Sequence, residues 1–324
     1  MQGIRRSIED FRGDYQSLAS LMKRSWGENN QQALSYSAEF LKSFLTSPGA
    51  IPSLTPSIYQ ADRLIGFASG FIRHVQYRGS SLRLITNSFL SVLPEYKKSG
   101  LGVVLWSELV NRVRAGGFDG MINFCIDGEP MNGMIEGCCH RLKLPVKRIV
   151  SIRYMSSLLK PSALETAPQL TLPVPVSHFL DLATPLLSTQ QLARKWSIEE
   201  AEWQCLQRAS GITAYSSYGS RQGMLTGYLM PILDSHNAKC LLVEDVLWEE
   251  LEPDERLQLL QRFLAEAVSQ GAQMATVPNL GYADLQPFKR ARFFSTRRVL
   301  HCYLTLFDGS LPLETLSSVY LDVF

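Results

Sequence analysis

Two lysines and two glycines fall together at Lys97-Lys98-Ser99-Gly100-Leu101-Gly102, and their types and order suit an anionic pyrophosphate. An apolar run from Phe89 to Leu93 precedes them and an amphipathic stretch follows. The segment therefore reads as strand, basic glycine turn and helix N-terminus. The first helical N–H groups lack intrahelical acceptors and lie at the positive end of the macrodipole. Glycine lets an anion approach the backbone closely. The order is wrong for Gly-x-x-x-x-Gly-Lys-Ser/Thr, and Leu105 stands where Gly-x-Gly-x-x-Gly needs its third glycine.

What remains is basic-x-x-Gly-x-Gly after Val92-Leu93-Pro94-Glu95-Tyr96. This string resembles the coenzyme A loop of the GCN5-related N-acetyltransferases, where Arg/Gln-x-x-Gly-x-Gly/Ala follows a Val-x-Pro-x-Tyr strand end. Lys97 departs from the pattern; it keeps the charge and loses the planar fork. The resemblance spans residues 82–144 and implies acetyl-CoA as acyl donor. It places the backbone of Leu90, Ser91 and Val92 along the pantetheine arm. It places the loop Lys97, Lys98, Ser99, Gly100, Leu101 and Gly102 on the pyrophosphate, and Asn132 against the cofactor. The family's general acid is a Tyr seven residues beyond that Asn; here the position is Cys139. A thiol with a pKa near ~8.5 can protonate a thiolate of similar pKa, so Cys139 is a candidate acid, beside the plainer reading of a small packing residue. No base stands out. Thr86 to Leu93 contain no acid, and Glu95 reads as a solvated turn residue. Glu28, Tyr36, His74 and Tyr77 come from the helices and strand ends that line the acceptor side in that family, and each is more often an ordinary surface or half-buried residue.

Several elements must position these residues. Tyr15 to Trp26 and Ala33 to Leu45 read as helices, and Ser57–Tyr59, Leu64–Ile72 and Leu82–Leu93 as strands. Leu101–Ala115 follows as a helix with a stripe of Leu105, Leu109, Val110 and Val113, closed by Gly116-Gly117. Gly120–Ile126 is a strand, Met131–Leu142 a helix and Arg148–Ser156 a last strand. This is the element order expected of the acetyltransferase fold, a mixed sheet with helices on both faces.

A shift of 154 positions superposes Val92-Leu93 on Val246-Leu247, Leu109-Val110 on Phe263-Leu264 and Gly117 on Gly271. An internal repeat follows: strands Cys240–Leu247, Ala272–Val277 and Arg298–Phe307, helices Arg256–Val268 and Ala283–Arg292. Ahead of them Gln190–Gln207 reads as helix and Gly211–Leu233 as paired strands. In the same register the basic loop becomes Leu251-Glu252-Pro253-Asp254. The lysines are gone, and carboxylates take the dipole a phosphate would use. The expected fold class is thus α/β (α+β): two tandem acyl-CoA N-acyltransferase folds, with a cofactor domain at 1–156, a Pro-rich linker at 157–187 and a degenerate copy at 188–324. The copy serves packing, a homodimer contact or one wall of the substrate cleft.

Composition sets bounds on the rest. The 324 residues suit two domains, and 45% hydrophobic content supports full cores. A net charge of +2 without a basic stripe argues against nucleic acid. No apolar run approaches the ~20 residues of a membrane span, so a soluble, cytoplasmic protein is expected, with no membrane partner. The six cysteines include no Cys-x-x-Cys pair, and Cys138-Cys139-His140 lacks a second ligand pair, so no metal is expected. The expected function is acetyl-CoA-dependent transfer of an acyl group to an amine, on a small molecule or a protein. Two rivals remain: a non-catalytic acyl-CoA-binding or regulatory module, and an aminoacyl transferase of the tandem type.

Overall fold

The computed structural model describes residues 7–27, 34–160, 176–233 and 238–323. Residues 161–175 of the expected Pro-rich linker, and candidate Glu28, lie outside them. The chain divides into two compact units. The first comprises residues 1–75, 81–150 and 300–315, and the second 76–80, 151–299 and 316–324. Residues 151–156 count with the second unit and residues 300–315 with the first.

In the first unit the sheet runs in the order β1 (Ser7–Asp10), β2 (Pro56–Gln60), β3 (Arg63–Tyr77), β4 (Ser80–Val92), β5 (Gly120–Ile126) and β12 (Phe294–Leu306). Helices α1 (Tyr15–Gly27), α2 (Ala38–Leu45), α3 (Leu101–Ala115) and α4 (Pro130–Arg141) complete it. β4 and β5 are parallel and joined through α3, the crossover that a strand–helix–strand sequence favours. Leu18, Leu21 and Met22 of α1 and Leu105, Leu109, Val110 and Val113 of α3 enter one core cluster. At ~25 cal/mol per Å² such burial is the main force holding the helices to the sheet. Ser37 caps α2 by accepting from the amide of Phe40, so that helix starts later than the apolar pattern suggests.

The second unit has strands β6 (Val146–Leu158), β11 (Ala272–Asn279), β10 (Lys239–Leu247), β9 (Arg221–Pro231) and β8 (Gly211–Tyr218) in that order. Its helices include α8 (Pro253–Ser269) and α9 (Gln286–Arg290), and β10 and β11 are again parallel. The helix expected over 190–207 is corrected. Residues 192–194 form the short strand β7, and α7 (Ile198–Glu202) begins only at Ser197, which forms a capping box with Glu200. The tail of the expected linker is helical as well: α5 (Val176–Ala183) buries Phe179 and Ala183. Strand Leu300–Leu306, read as part of the second copy, pairs antiparallel with β5 of the first unit, Leu300 opposite Ile126 through Leu306 opposite Gly120.

Candidate active site

The basic loop is built as its sequence requires. Pro94–Tyr96 forms one 3₁₀ turn, and Gly100 then takes φ +81° at the N-cap of α3, a left-handed conformation that favours glycine. Several contacts pin the turn. Leu93 N donates to Ile65 O at 3.0 Å, the Tyr96 hydroxyl donates to Gln60, and Glu95 pairs with Arg63 at 2.8 Å and Arg24 at 3.1 Å. Glu95 is therefore an anchor; its own backbone amide and the two arginines hold its carboxyl below the usual range. Ser99 is also tied down, its amide and hydroxyl both donating to Tyr96 O.

The next turn of the loop is open. Val104 is the first amide to reach back to the carbonyl of Gly100, so the amides of Leu101, Gly102 and Val103 have no helical acceptor. No side chain caps the helix. A Cβ at Gly102 would meet nothing nearer than Met134 Sδ at 3.9 Å, so packing does not demand glycine there. The space fits an external group lying on the backbone. Lys97 and Lys98 are exposed and, among the described residues, carry no ion pair.

Beside the loop the sheet comes apart. β4 and β5 pair only from Leu84–Gly120 to Asn87–Asn123. Beyond that vertex, residues 88–92 and 124–126 run on without pairing to each other. β5 keeps its other neighbour throughout, so only the edge towards β4 opens. Asn87 Nδ2 donates to Asn123 Oδ1 at 3.1 Å, and Trp106 Nε1 of α3 donates to the same oxygen at 3.0 Å. Asn87 Oδ1, Asn123 Nδ2 and Ser91 Oγ are buried polar atoms without a hydrogen-bond partner among the described residues. Such atoms are costly unless something completes them.

Phe89 has φ +59°, rare for a residue with a side chain. Edge contacts hold its ring against Tyr36 at 5.5 Å, Phe44 at 5.4 Å and Phe71 at 6.3 Å. That packing over-determines a strained conformation of the kind concentrated at functional sites. The family resemblance implies a strand splayed from its neighbour at Leu90, Ser91 and Val92, but it names neither the Asn87–Asn123 vertex nor the positive φ at Phe89; the polar interruption of β4 at Thr86-Asn87-Ser88 was the available signal.

Leu90, Ser91 and Val92 lie on the open arm of β4, next to the loop. Asn132, in the first turn of α4, donates through Nδ2 to Ile126 O at 2.6 Å and accepts from the Tyr303 hydroxyl at 3.3 Å. Cys139 is fully buried in the core cluster, its thiol 3.6 Å from Thr305 Oγ1. Burial pushes that thiol up, which makes it a weaker acid. The packing reading of Cys139 fits this position. Of the other candidates, Tyr77 is buried, His74 is exposed and Tyr36 belongs to the aromatic group around Phe89. All six cysteines are buried free thiols. Among the described residues no three His, Cys, Asp or Glu side chains gather as metal ligands, and no helix is long and apolar enough to cross a membrane.

The repeat-related position in the second unit is sealed. Glu252 caps α8 by accepting from the Glu255 amide, and Glu255 accepts from the Glu252 amide at 2.9 Å. Arg221 pairs with Glu255 at 2.6 Å and, as the main cause, holds its carboxyl below the usual range. The amide of Val246, the counterpart of Val92, donates to the Tyr282 hydroxyl at 2.9 Å.

Residues 7–120 match the family model described as myristoyl-CoA:protein N-myristoyltransferase, N-terminal domain. A search of curated proteins returns no match. Among solved structures, the N-myristoyltransferase of Saccharomyces cerevisiae with bound myristoyl-CoA is similar, with 14% identity, 94% of this chain and 79% of that chain covered, and a TM-score of 0.74. A GCN5-related N-acetyltransferase from Anabaena variabilis shares 12% identity over 93% of this chain and 72% of that chain, with a TM-score of 0.56. The fold is accordingly the tandem acyl-CoA N-acyltransferase fold.

Proposed function

We propose that this chain is an acyl-CoA-dependent N-acyltransferase whose first unit holds the donor. One observation carries the reading. Among the described residues, a helix N-terminus with free amides and two lysines without an ion pair adjoins a parallel strand pair that opens just where buried polar atoms lack partners. The loop would take the pyrophosphate, and the open arm Leu90-Ser91-Val92 would pair with the amide-bearing pantetheine. The thioester would then lie near Phe89. A neutral amine attacks the thioester carbonyl directly, and positioning supplies much of the rate.

The finer reading is a long-chain donor, myristoyl-CoA, and the N-terminal glycine amine of a protein acceptor. The family match over residues 7–120 and the likeness to a myristoyl-CoA complex support it. The apolar rings around Phe89 offer a lining for a hydrocarbon chain. A second reading, acetyl-CoA with a smaller amine, draws support from the way those rings already fill the space, with Phe44 and Phe71 at 4.8 Å.

The test is free-thiol release from acetyl-, octanoyl- and myristoyl-CoA against small amines and a peptide with N-terminal glycine. Release from myristoyl-CoA with the peptide supports the first reading, and release from acetyl-CoA alone supports the second. Thermal stabilisation by the donors without any release would mark a binding module and contradict both.

A further inference from the structure

Helix α4 offers no phenol for the departing thiol, but β12 does. Tyr303 is the direct cross-strand partner of Asn123, the residue at which β4 and β5 part. Directly opposed side chains in an antiparallel pair share a face. Tyr303 therefore lies on the face where Asn123 meets Trp106 of α3, the helix that carries the basic loop. Its hydroxyl reaches Asn132 Oδ1 at 3.3 Å, while Asn132 Nδ2 is fixed on the carbonyl of Ile126, the last residue of β5. The side chain is buried in the core cluster, at 3% exposure, and its hydroxyl is held beside the end of β5, the stretch that no longer pairs with β4. The thiol of Cys139 faces Thr305 instead, two residues along β12 on the same face, with Oγ1 at 3.6 Å.

We propose that Tyr303 is the general acid of this chain and protonates the departing coenzyme A thiolate. The inference rests on the acyl-transfer reading above. As the amine nitrogen bonds to the acyl carbon, the C–S bond breaks and sulfur leaves with the electron pair. The phenol proton passes to sulfur. The nitrogen sheds one proton to solvent, and the phenolate recovers one from solvent, so the products are an amide and a free thiol. Burial, then the nearby Glu136 and Cys125, push the Tyr303 phenol up, and Arg148 opposes them. The phenol therefore holds its proton at neutral pH. His301 on the same strand also lies near, its ring 6.5 Å from that of Tyr303 and its Nε2 3.0 Å from Asp127.

The test compares wild type, Tyr303→Phe and a chain with 3-fluorotyrosine at position 303, whose phenol is more acidic. The measurements are thiol release across pH and donor affinity by calorimetry. For Tyr303→Phe, kcat should fall about 100-fold, within the usual range for a general acid, with donor Kd within about twofold of wild type. With 3-fluorotyrosine the alkaline limb of the kcat profile should move to lower pH; a merely structural tyrosine would not move it. If Tyr303→Phe fails to fold, the fluorinated chain still decides, since it keeps the hydroxyl and the packing. An unmoved limb, or wild-type kcat in Tyr303→Phe, overturns this assignment alone. A wild-type chain that releases no thiol with any donor and amine overturns the acyl-transfer reading and this assignment with it.

Discussion

The amide of Val246 donates to the hydroxyl of Tyr282 at 2.9 Å, whereas the amide of its repeat-related partner, Val92, lies on the open arm of β4. One chain therefore contains both an open and a closed version of the same strand end. The closed version also has a helix N-terminus filled by Glu252 and Glu255. Calorimetric titration with coenzyme A should give one site per chain. Two equivalent sites would contradict the asymmetry.

Gly100 and Gly102 should separate on substitution. Gly100 needs its left-handed φ of +81°, so Gly100→Ala should cost roughly 1–2 kcal/mol of stability in denaturant unfolding. A Cβ at Gly102 meets no close neighbour, so Gly102→Ala should cost the fold much less. Equal losses at both positions would show that the loop conformation is misassigned.

The separation also marks what could be read from the sequence. The helix 101–115 and the strand 120–126 were legible to the residue, because glycines punctuate them and their apolar periods are local. The pairing of 300–306 with β5 was not, since no local signal names a partner some 180 residues away. The site divided similarly. The loop was legible as a glycine turn opening a helix, because its signals are local. The Asn87–Asn123 vertex depends on two strands meeting, and the positive φ of Phe89 on an aromatic group drawn from β3, β4, α2 and the segment before α2. Tyr303 carries no motif; only its register with Asn123 singles it out.

Lys97 and Lys98 are exposed, so their attraction for a pyrophosphate is screened by salt. Replacing either with Ala should weaken coenzyme A binding roughly fivefold at low salt, the ~1 kcal/mol an exposed charge pair is worth. The difference from wild type should shrink in high salt. Titrations at two ionic strengths check this, and a salt-independent loss would argue against a Coulombic role.

The second unit buries Glu244 and Asp245 side by side on β10. Arg208 pairs with Glu244, Gln204 donates to both acids, and Thr226 and Tyr320 donate to Asp245. Arg194 pairs with Asp322 at 2.8 Å and Glu200 at 2.9 Å nearby. Burial raises both Glu244 and Asp245 above the usual carboxylate range. A carboxyl with a raised folded pKa binds more protons folded than unfolded, so its contribution falls as pH rises from the unfolded pKa through the folded one. Asp245→Asn removes one such group. Its melting temperature should therefore change less than that of wild type between pH 5 and pH 8. A steeper pH dependence in the variant would contradict the sign.

The most direct measurement of the central claim is coenzyme A affinity of Gly102→Asp by calorimetry, with folding checked by thermal melting. The side chain would project into open space with a negative charge, at the amides proposed to hold the pyrophosphate. The account predicts a folded variant with affinity reduced at least about 100-fold, the combined cost of steric block and like charge. A folded variant that binds coenzyme A as tightly as wild type would contradict it.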